Sequence, residues 1–190
     1  MRRSGRYCGE LKQNKAHGQG VCVWGDGQNE RRYEGRWEND KPHGQGVFVF
    51  ENGNRYAGNI EHNVMAGHGV YVWANGDRYE GSLKNNKKHG QGVYVCSSGD
   101  RYEGGWKNDL KHGFGAHVWS KGNRYEGNYE NGEKHGIGVF VWTNGNRYEG
   151  DWENGEIHGQ GVFVWPNDGV RWEGEWKHNE KFGQGVYKKT

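Results

Sequence analysis

Short stretches of this chain alternate aromatic or glycine residues with polar ones, as in Tyr148-Glu-Gly-Asp-Trp152. They are followed by runs of β-branched and aromatic residues such as Gly138-Val-Phe-Val-Trp142. A period of two marks a β-strand, so each pair of stretches predicts two strands. Between them lies a polar segment such as Glu153-Asn-Gly-Glu-Ile-His-Gly-Gln160, and after them comes Asn-Gly, as at Asn144-Gly145. The polar segment reads as a longer hairpin loop and the Asn-Gly as a tight turn whose glycine supplies positive φ. Glycines at fixed spacing interrupt every window long enough for a helix, so the fold class is all-β.

The pattern repeats every 23 residues. Taking the leading aromatic as position 1, the units start near Tyr7, Tyr33, Tyr56, Tyr79, Tyr102, Tyr125, Tyr148 and Trp172. Small insertions fall at Gly27–Tyr33 and Trp165–Trp172, both in the turn between units. Periods of this length signal arrays in which each unit buries its apolar face only against its neighbours. The expectation is one continuous array over residues 1–190, an elongated, twisted, single-layer antiparallel β-meander of tandem β-hairpin repeats. With strands about 4.7 to 4.9 Å apart, each unit advances roughly 10 Å and eight give a ribbon on the order of 75 Å.

Pairing position 5 with 14 would set Trp152 opposite Gly161, Gly150 opposite Phe163 and Tyr148 opposite Trp165. Each glycine then makes room for an aromatic side chain on the facing strand. An odd number of residues in the connecting turn, for example a three-residue loop Asn75-Gly76-Asp77, returns the next Tyr to the same face. The other face carries Val139 and Val141 beside glutamates such as Glu126 and Glu149. Lys188 and Lys189 in the last unit, and Arg2, Arg3 and Arg6 at the first strand, read as charged caps of a complete array.

Composition narrows the class. Glycine is 36 of 190 residues with only 2 prolines and 14% aromatics, which is neither collagen nor a disordered linker. A net charge of +2, with basic residues interleaved with glutamate, gives no footprint for a nucleic acid. Cys8, Cys22 and Cys96 form an odd set and read as reduced thiols of a cytoplasmic protein. The N-terminal residues hold no apolar stretch of leader type, and the longest apolar runs resemble Val47-Phe-Val-Phe50, too short to span a membrane.

The segments Tyr148-Glu-Gly-Asp-Trp-Glu-Asn-Gly-Glu-Ile-His-Gly-Gln-Gly161 and Tyr102-Glu-Gly-Gly-Trp-Lys-Asn-Asp-Leu-Lys-His-Gly-Phe-Gly115 resemble the MORN (membrane occupation and recognition nexus) repeat. The resemblance covers nearly the whole chain in eight tandem copies. It implies a curved antiparallel ribbon and roles as junctional, cytoskeletal or ciliary scaffolds or as accessory arrays on enzymes, with acidic phospholipid binding proposed for several members. The third and fourth units depart from it, with Ala57 for Glu, and Ile60 and Leu83 for Trp, which reads as an apolar kink or docking spot.

Candidate sites follow. Six of the ten histidines share position 11: His17, His43, His89, His112, His135 and His158. One per unit sets them roughly 10 Å apart, too far for a common zinc ion whose ligands lie about 2 Å away. They read as loop residues bonding backbone, with no metal site and no cofactor. If these imidazoles are held neutral, stability falls in mild acid. Glu at position 2 and Arg before each Tyr read as cross-strand ion pairs, and no nucleophile, base and orienting group converge, so no catalytic residue is assigned and the chain is read as non-enzymatic.

The face holding Tyr79, Tyr94, Trp106, Trp119, Tyr129, Phe140, Trp142, Trp152 and Phe163 has no second layer and is expected to bind a protein partner, as a helical or extended segment, or a second copy as a homodimer. The alternative is a peripheral membrane module in which Arg78, Arg101, Arg124 and Arg147 contact acidic phospholipids or phosphoinositides. A net charge of +2 opposes it, because each basic residue adds only about 1 kcal/mol near an anionic surface. The expected setting is cytoplasmic, at the cytoskeleton, a cilium or a membrane surface.

Overall fold

The computed structural model describes residues 5–25 and 30–189. Arg2, Arg3 and most of the first insertion lie outside the described residues. The chain forms two compact units, Met1–Ser97 and Ser98–Thr190. The first holds β1 (Gly5–Lys12), β2 (Lys15–Trp24), β3 (Arg31–Glu38), β4 (Lys41–Val49), β5 (Arg55–Glu61), β6 (Val64–Val72), β7 (Arg78–Lys84) and β8 (Lys87–Val95). The second holds β9 (Arg101–Lys107), β10 (Leu110–Val118), β11 (Arg124–Glu130), β12 (Glu133–Val141), β13 (Arg147–Glu153), β14 (Glu156–Trp165), β15 (Val170–Lys177) and β16 (Glu180–Lys189). Within each unit every strand pairs antiparallel with the next in sequence, and no helix occurs among the described residues. The all-β hairpin meander read from the sequence is the fold.

The turns are the reverse of those expected. The tight turn lies at positions 7 and 8, where Asn154 (φ 50°) and Gly155 (φ 85°) join Glu153 to its partner Glu156. Both turn residues have positive φ in every repeat, as a type I′ turn requires, and Asn, Asp and Gly tolerate that conformation. The polar segment that follows is therefore strand, and His158 stands on β14 rather than in a loop. The connection at Asn-Gly is the longer one. Trp73 donates its N–H to the Asp77 carbonyl at 2.9 Å and encloses Ala74, Asn75 and Gly76, with Gly76 at φ 91°. The loop is odd in length, as the return of the next tyrosine demands, but begins one residue earlier than read.

Moving the tight turn slides the register by two. Tyr148 pairs with Phe163, Gly150 with Gly161, and Trp152 with Ile157. A bulge between the last two sets His158, Gly159 and Gln160 against Asp151. Glycine thus faces glycine. A Cβ on Gly150 would come within 2.5 Å of the Gly161 Cα, and one on Gly161 would meet the Tyr148 ring at 2.5 Å from its Cζ. The ring that fills the glycine gap comes from position 1 of the same hairpin rather than from position 16 of the facing strand.

The bulge also explains why position 1 is tyrosine. It leaves position 4 without a register partner on the facing strand, and the tyrosine hydroxyl donates to the position-4 carbonyl: Tyr33 to Arg36 at 2.8 Å, Tyr56 to Asn59 at 2.7 Å, Tyr125 to Asn128 at 3.0 Å and Tyr148 to Asp151 at 3.0 Å. A buried carbonyl left unpaired would cost about 1 to 3 kcal/mol. Tyr33, Tyr56, Tyr79, Tyr125 and Tyr148 are wholly buried, and burial pushes the Tyr33 and Tyr56 hydroxyls up to about 12. Where Trp172 replaces tyrosine in the last repeat, its indole nitrogen is buried with no acceptor.

Position 5 closes the core. Trp152 packs edge-on against Tyr125 at 5.3 Å and Tyr148 at 5.4 Å, so each such ring bridges two repeats. Its Nε1 donates to the Gly138 carbonyl at 3.2 Å, as Trp37 does to Gly20 at 3.0 Å. Ile60 and Leu83 occupy the same place and are buried, which removes them as a docking spot. Turn side chains then fasten repeat to repeat. Asp40 accepts the Ala16 N–H at 2.8 Å, Asn86 that of Met65 at 2.8 Å and Asn179 that of Ile157 at 2.9 Å. At the other end of the hairpins, Asp77 accepts from the Tyr94 hydroxyl at 2.5 Å and the Ser97 N–H at 2.9 Å, which hold its carboxyl well below the usual range.

Candidate binding surface

Five of the nine rings expected to contact a partner are core. Tyr79, Trp106, Tyr129, Phe140 and Trp152 are buried against neighbouring side chains, whereas Tyr94, Trp119, Trp142 and Phe163 are half-buried. The half-buried rings come from positions 16 and 18, which alternate in a file. In the first unit the file runs Phe48, Phe50, Tyr71, Trp73, Tyr94, with successive centroids 4.6 to 5.9 Å apart. In the second it runs His117, Trp119, Phe140, Trp142, Phe163, Trp165, at 3.9 to 5.4 Å. Each ring packs against the next; Phe48 and Phe140 are buried within their files, and the other rings are half-buried, with part of each left to solvent.

Lysines at position 10 lie over these files. Lys88 stands 4.9 Å from the Tyr94 centroid and Lys181 4.6 Å from Trp165. Lys134 is 3.8 Å from Trp152 and 5.0 Å from Phe140, and burial pulls its amine down to about 8. Cation–π contact holds ammonium groups beside apolar flanks, so the strip is aromatic and cationic at once. His117 takes the ring position at 16, with its Nδ1 3.0 Å from the Lys111 amine. Burial, then that lysine, push the imidazole down to about 4, with Asp100 opposing.

The arginine column is neutralised along its own strands rather than across them. Residues two apart share a face, and Arg78, Arg101 and Arg147 lie 2.5 Å from Glu80, Glu103 and Glu149, while Arg124 pairs with Glu126. The same face carries a feature that sequence reasoning missed. Position 13 is Gln19, Gln45, Gln91, Gln160 and Gln184 in five repeats and His68 in a sixth, yet Phe114 and Ile137 in two adjacent ones. Both are well exposed, at 61% and 67%, and with Val139, Arg124 and Arg147 they line a hollow of about 440 Å³. Aligning the repeats by position and looking for apolar outliers would have shown it.

The position-11 histidines lie beside the glutamate of position 6: His135 is 3.4 Å from Glu130 and His158 3.4 Å from Glu153. The wide spacing that keeps a shared metal out of the position-11 ladder does not apply to His62 and His178, which take the turn position 7 in place of asparagine. The structure sets His62 beside His43, with ring centroids 4.8 Å apart.

A family model of the MORN repeat matches residues 7–29, 33–55, 56–78, 79–101, 102–124, 125–147, 148–170 and 172–190. This chain belongs to the MORN repeat family. The matched segments begin at the same aromatic residues that open each hairpin. The MORN tyrosine, glycines and tryptophan are thus the lid, the gap beneath it and the bridge to the preceding repeat. No curated protein sequence matches the chain significantly. Among solved structures, this MORN array is similar to the SAS-4 (dCPAP) TCP domain of Drosophila melanogaster, in complex with a proline-rich motif of Ana2 (dSTIL), at 11% identity and a TM-score of 0.49 over 98% of this chain and 90% of that one.

Proposed function

We propose that the chain is a non-catalytic repeat scaffold that binds a segment of a partner protein along the position-16 and position-18 rings. The observation that supports this most is the file of rings with lysines over it; in its best-formed stretch Trp119, Trp142 and Phe163 are half-buried around the buried Phe140, and Lys134 lies 5.0 Å from Phe140. A protein surface rarely leaves such a strip open without use. One hairpin advances about 9.6 Å, and a helix presenting an apolar residue every seventh position repeats at about 10.5 Å, so an amphipathic helix with acidic residues beside its apolar stripe suits the strip. The setting this reading implies is cytoplasmic, at the cytoskeleton, a cilium or a membrane surface.

The test is selection from a displayed library of helical and extended peptides against the folded chain, with a Trp119→Ala/Trp142→Ala variant for comparison. Peptides that bind the parent and lose at least about tenfold on the variant support the reading, since hot spots concentrate in a few aromatic residues. Peptides bound equally by both forms overturn it. Salt-sensitive co-sedimentation with phosphoinositide vesicles and not with neutral ones, lost on Arg101→Gln/Arg124→Gln, would replace it with the membrane module. Light scattering of the chain alone tests whether the partner is a second copy.

A further inference from the structure

Glu38 ends β3, His43 stands on β4, and His62 opens the turn between β5 and β6. The register of three successive strands brings them together. Glu38 Oε2 lies 3.7 Å from His43 Nδ1 and 3.5 Å from His62 Nε2, and the three donor atoms all lie within 4.8 Å of one another. His43 Nδ1 is shielded from solvent yet has no hydrogen-bond partner. The Nδ1 atoms of His89 and His112, at the same repeat position, are likewise shielded and unpartnered, and of these three histidines only His43 stands in a cluster with a second imidazole and a carboxylate that could share an ion.

We propose that Glu38, His43 and His62 form a binding site for a divalent transition-metal ion of the zinc class. Zinc takes imidazole nitrogen and carboxylate oxygen at about 2.0 to 2.2 Å in a tetrahedron, whose edges are then roughly 3.3 to 3.6 Å. Of the two edges from Glu38, the one to His62 falls within that range and the one to His43 exceeds it by about 0.1 Å. The remaining distance closes by rotation of His62, which is exposed on its turn. Two imidazoles and one carboxylate favour zinc, copper or nickel over calcium or magnesium, which prefer all-oxygen sites. The fourth position opens to solvent and takes water. Bound metal would tie the turn of the third repeat to the second hairpin.

The chain contains its own control. His178 follows His158 at the same two positions, but each has a separate carboxylate: His178 Nδ1 lies 2.8 Å from Glu156, His158 Nε2 3.4 Å from Glu153, and the rings are 5.7 Å apart. There the donors form two pairs rather than one cluster.

The experiment is zinc titration of the full chain, reduced and chelator-stripped, by calorimetry and thermal melting, with magnesium and calcium in parallel. His62→Asn restores the residue that most repeats carry at this turn and preserves the fold; His178→Asn is the matched comparison. The expected result is one zinc per chain, a rise in melting temperature, a loss of about tenfold or more in affinity for His62→Asn, and no change for His178→Asn. Absence of zinc binding by the parent, binding that His62→Asn leaves intact, as the thiols of Cys8, Cys22 and Cys96 would give, or an equal response to magnesium overturns the proposal.

Discussion

The third and fourth repeats and the sixth and seventh solve one packing problem with different side chains. In the former pair position 5 is Ile60 and Leu83, in the latter Tyr129 and Trp152, and all four are buried. The tyrosines beneath, Tyr56, Tyr79, Tyr125 and Tyr148, are all wholly buried. Sealing the tyrosine lid therefore needs apolar volume rather than a ring. What a ring adds, Tyr129 as well as Trp152, is a bridge to the preceding repeat's tyrosine; an indole adds in addition the Nε1 bond to the preceding repeat's glycine carbonyl. The departures from the repeat pattern read as a kink or docking spot are substitutions within one core.

The largest effect should come from the feature both regions share. Gly138→Ala puts a Cβ 2.5 Å from Tyr125 Cζ, and Gly69→Ala puts one 2.5 Å from the Tyr56 hydroxyl oxygen. Each should cost about 3 kcal/mol or more in denaturant unfolding, since backbone and ring would both have to move. A mild effect at Gly69 with a severe one at Gly138 would break the comparison. Next, Trp152→Ala should lose about 3 to 5 kcal/mol and Ile60→Ala about 2 to 4 kcal/mol, and equal losses would mean that the indole bridge contributes nothing.

A smaller effect separates repeats by pH. Position 16 is Tyr71 in the third repeat and His117 in the fifth. The folded His117 is pushed down to about 4, chiefly by burial. An unfolded histidine titrates near 6.5, so between these values the unfolded chain binds a proton that the native imidazole refuses. Stability should be full above about pH 6.5 and fall towards pH 4, by about 1 kcal/mol after allowance for the half-exposed ring. His117→Phe should abolish that part of the slope in melts between about pH 7.5 and 5. Smallest of all, Arg124→Gln should change stability by no more than about 0.5 kcal/mol, because its pair with Glu126 is solvent-exposed.

The repeat, the strands and the faces were legible because periodicity two and a fixed spacing survive translation into backbone. The register was not, because it depends on which of two glycine- or asparagine-bearing segments makes the tight turn. Asn144-Gly145 looked the stronger signal, yet two consecutive positive-φ residues occur at Asn154-Gly155 and, with no glycine at all, at Asn39-Asp40. The shift decided which rings are core, so Trp106 and Trp152 were mistaken for surface. His62 escaped notice because it stands at a different repeat position from His43, and their nearness appears only when neighbouring repeats are read diagonally.

The register has a kinetic corollary. The widest-separated strand partners among the described residues, Gly5 with Trp24, Gly18 with Trp37 and Val170 with Lys189, are 19 positions apart. Most all-β domains fold slowly because their pairings close long loops. Here each hairpin closes through a two-residue turn, and the next strand finds a finished edge within a few residues. A nascent chain leaving the ribosome could thus add hairpins in order of synthesis, with contact distances closer to those of a helical protein than of a β-sandwich.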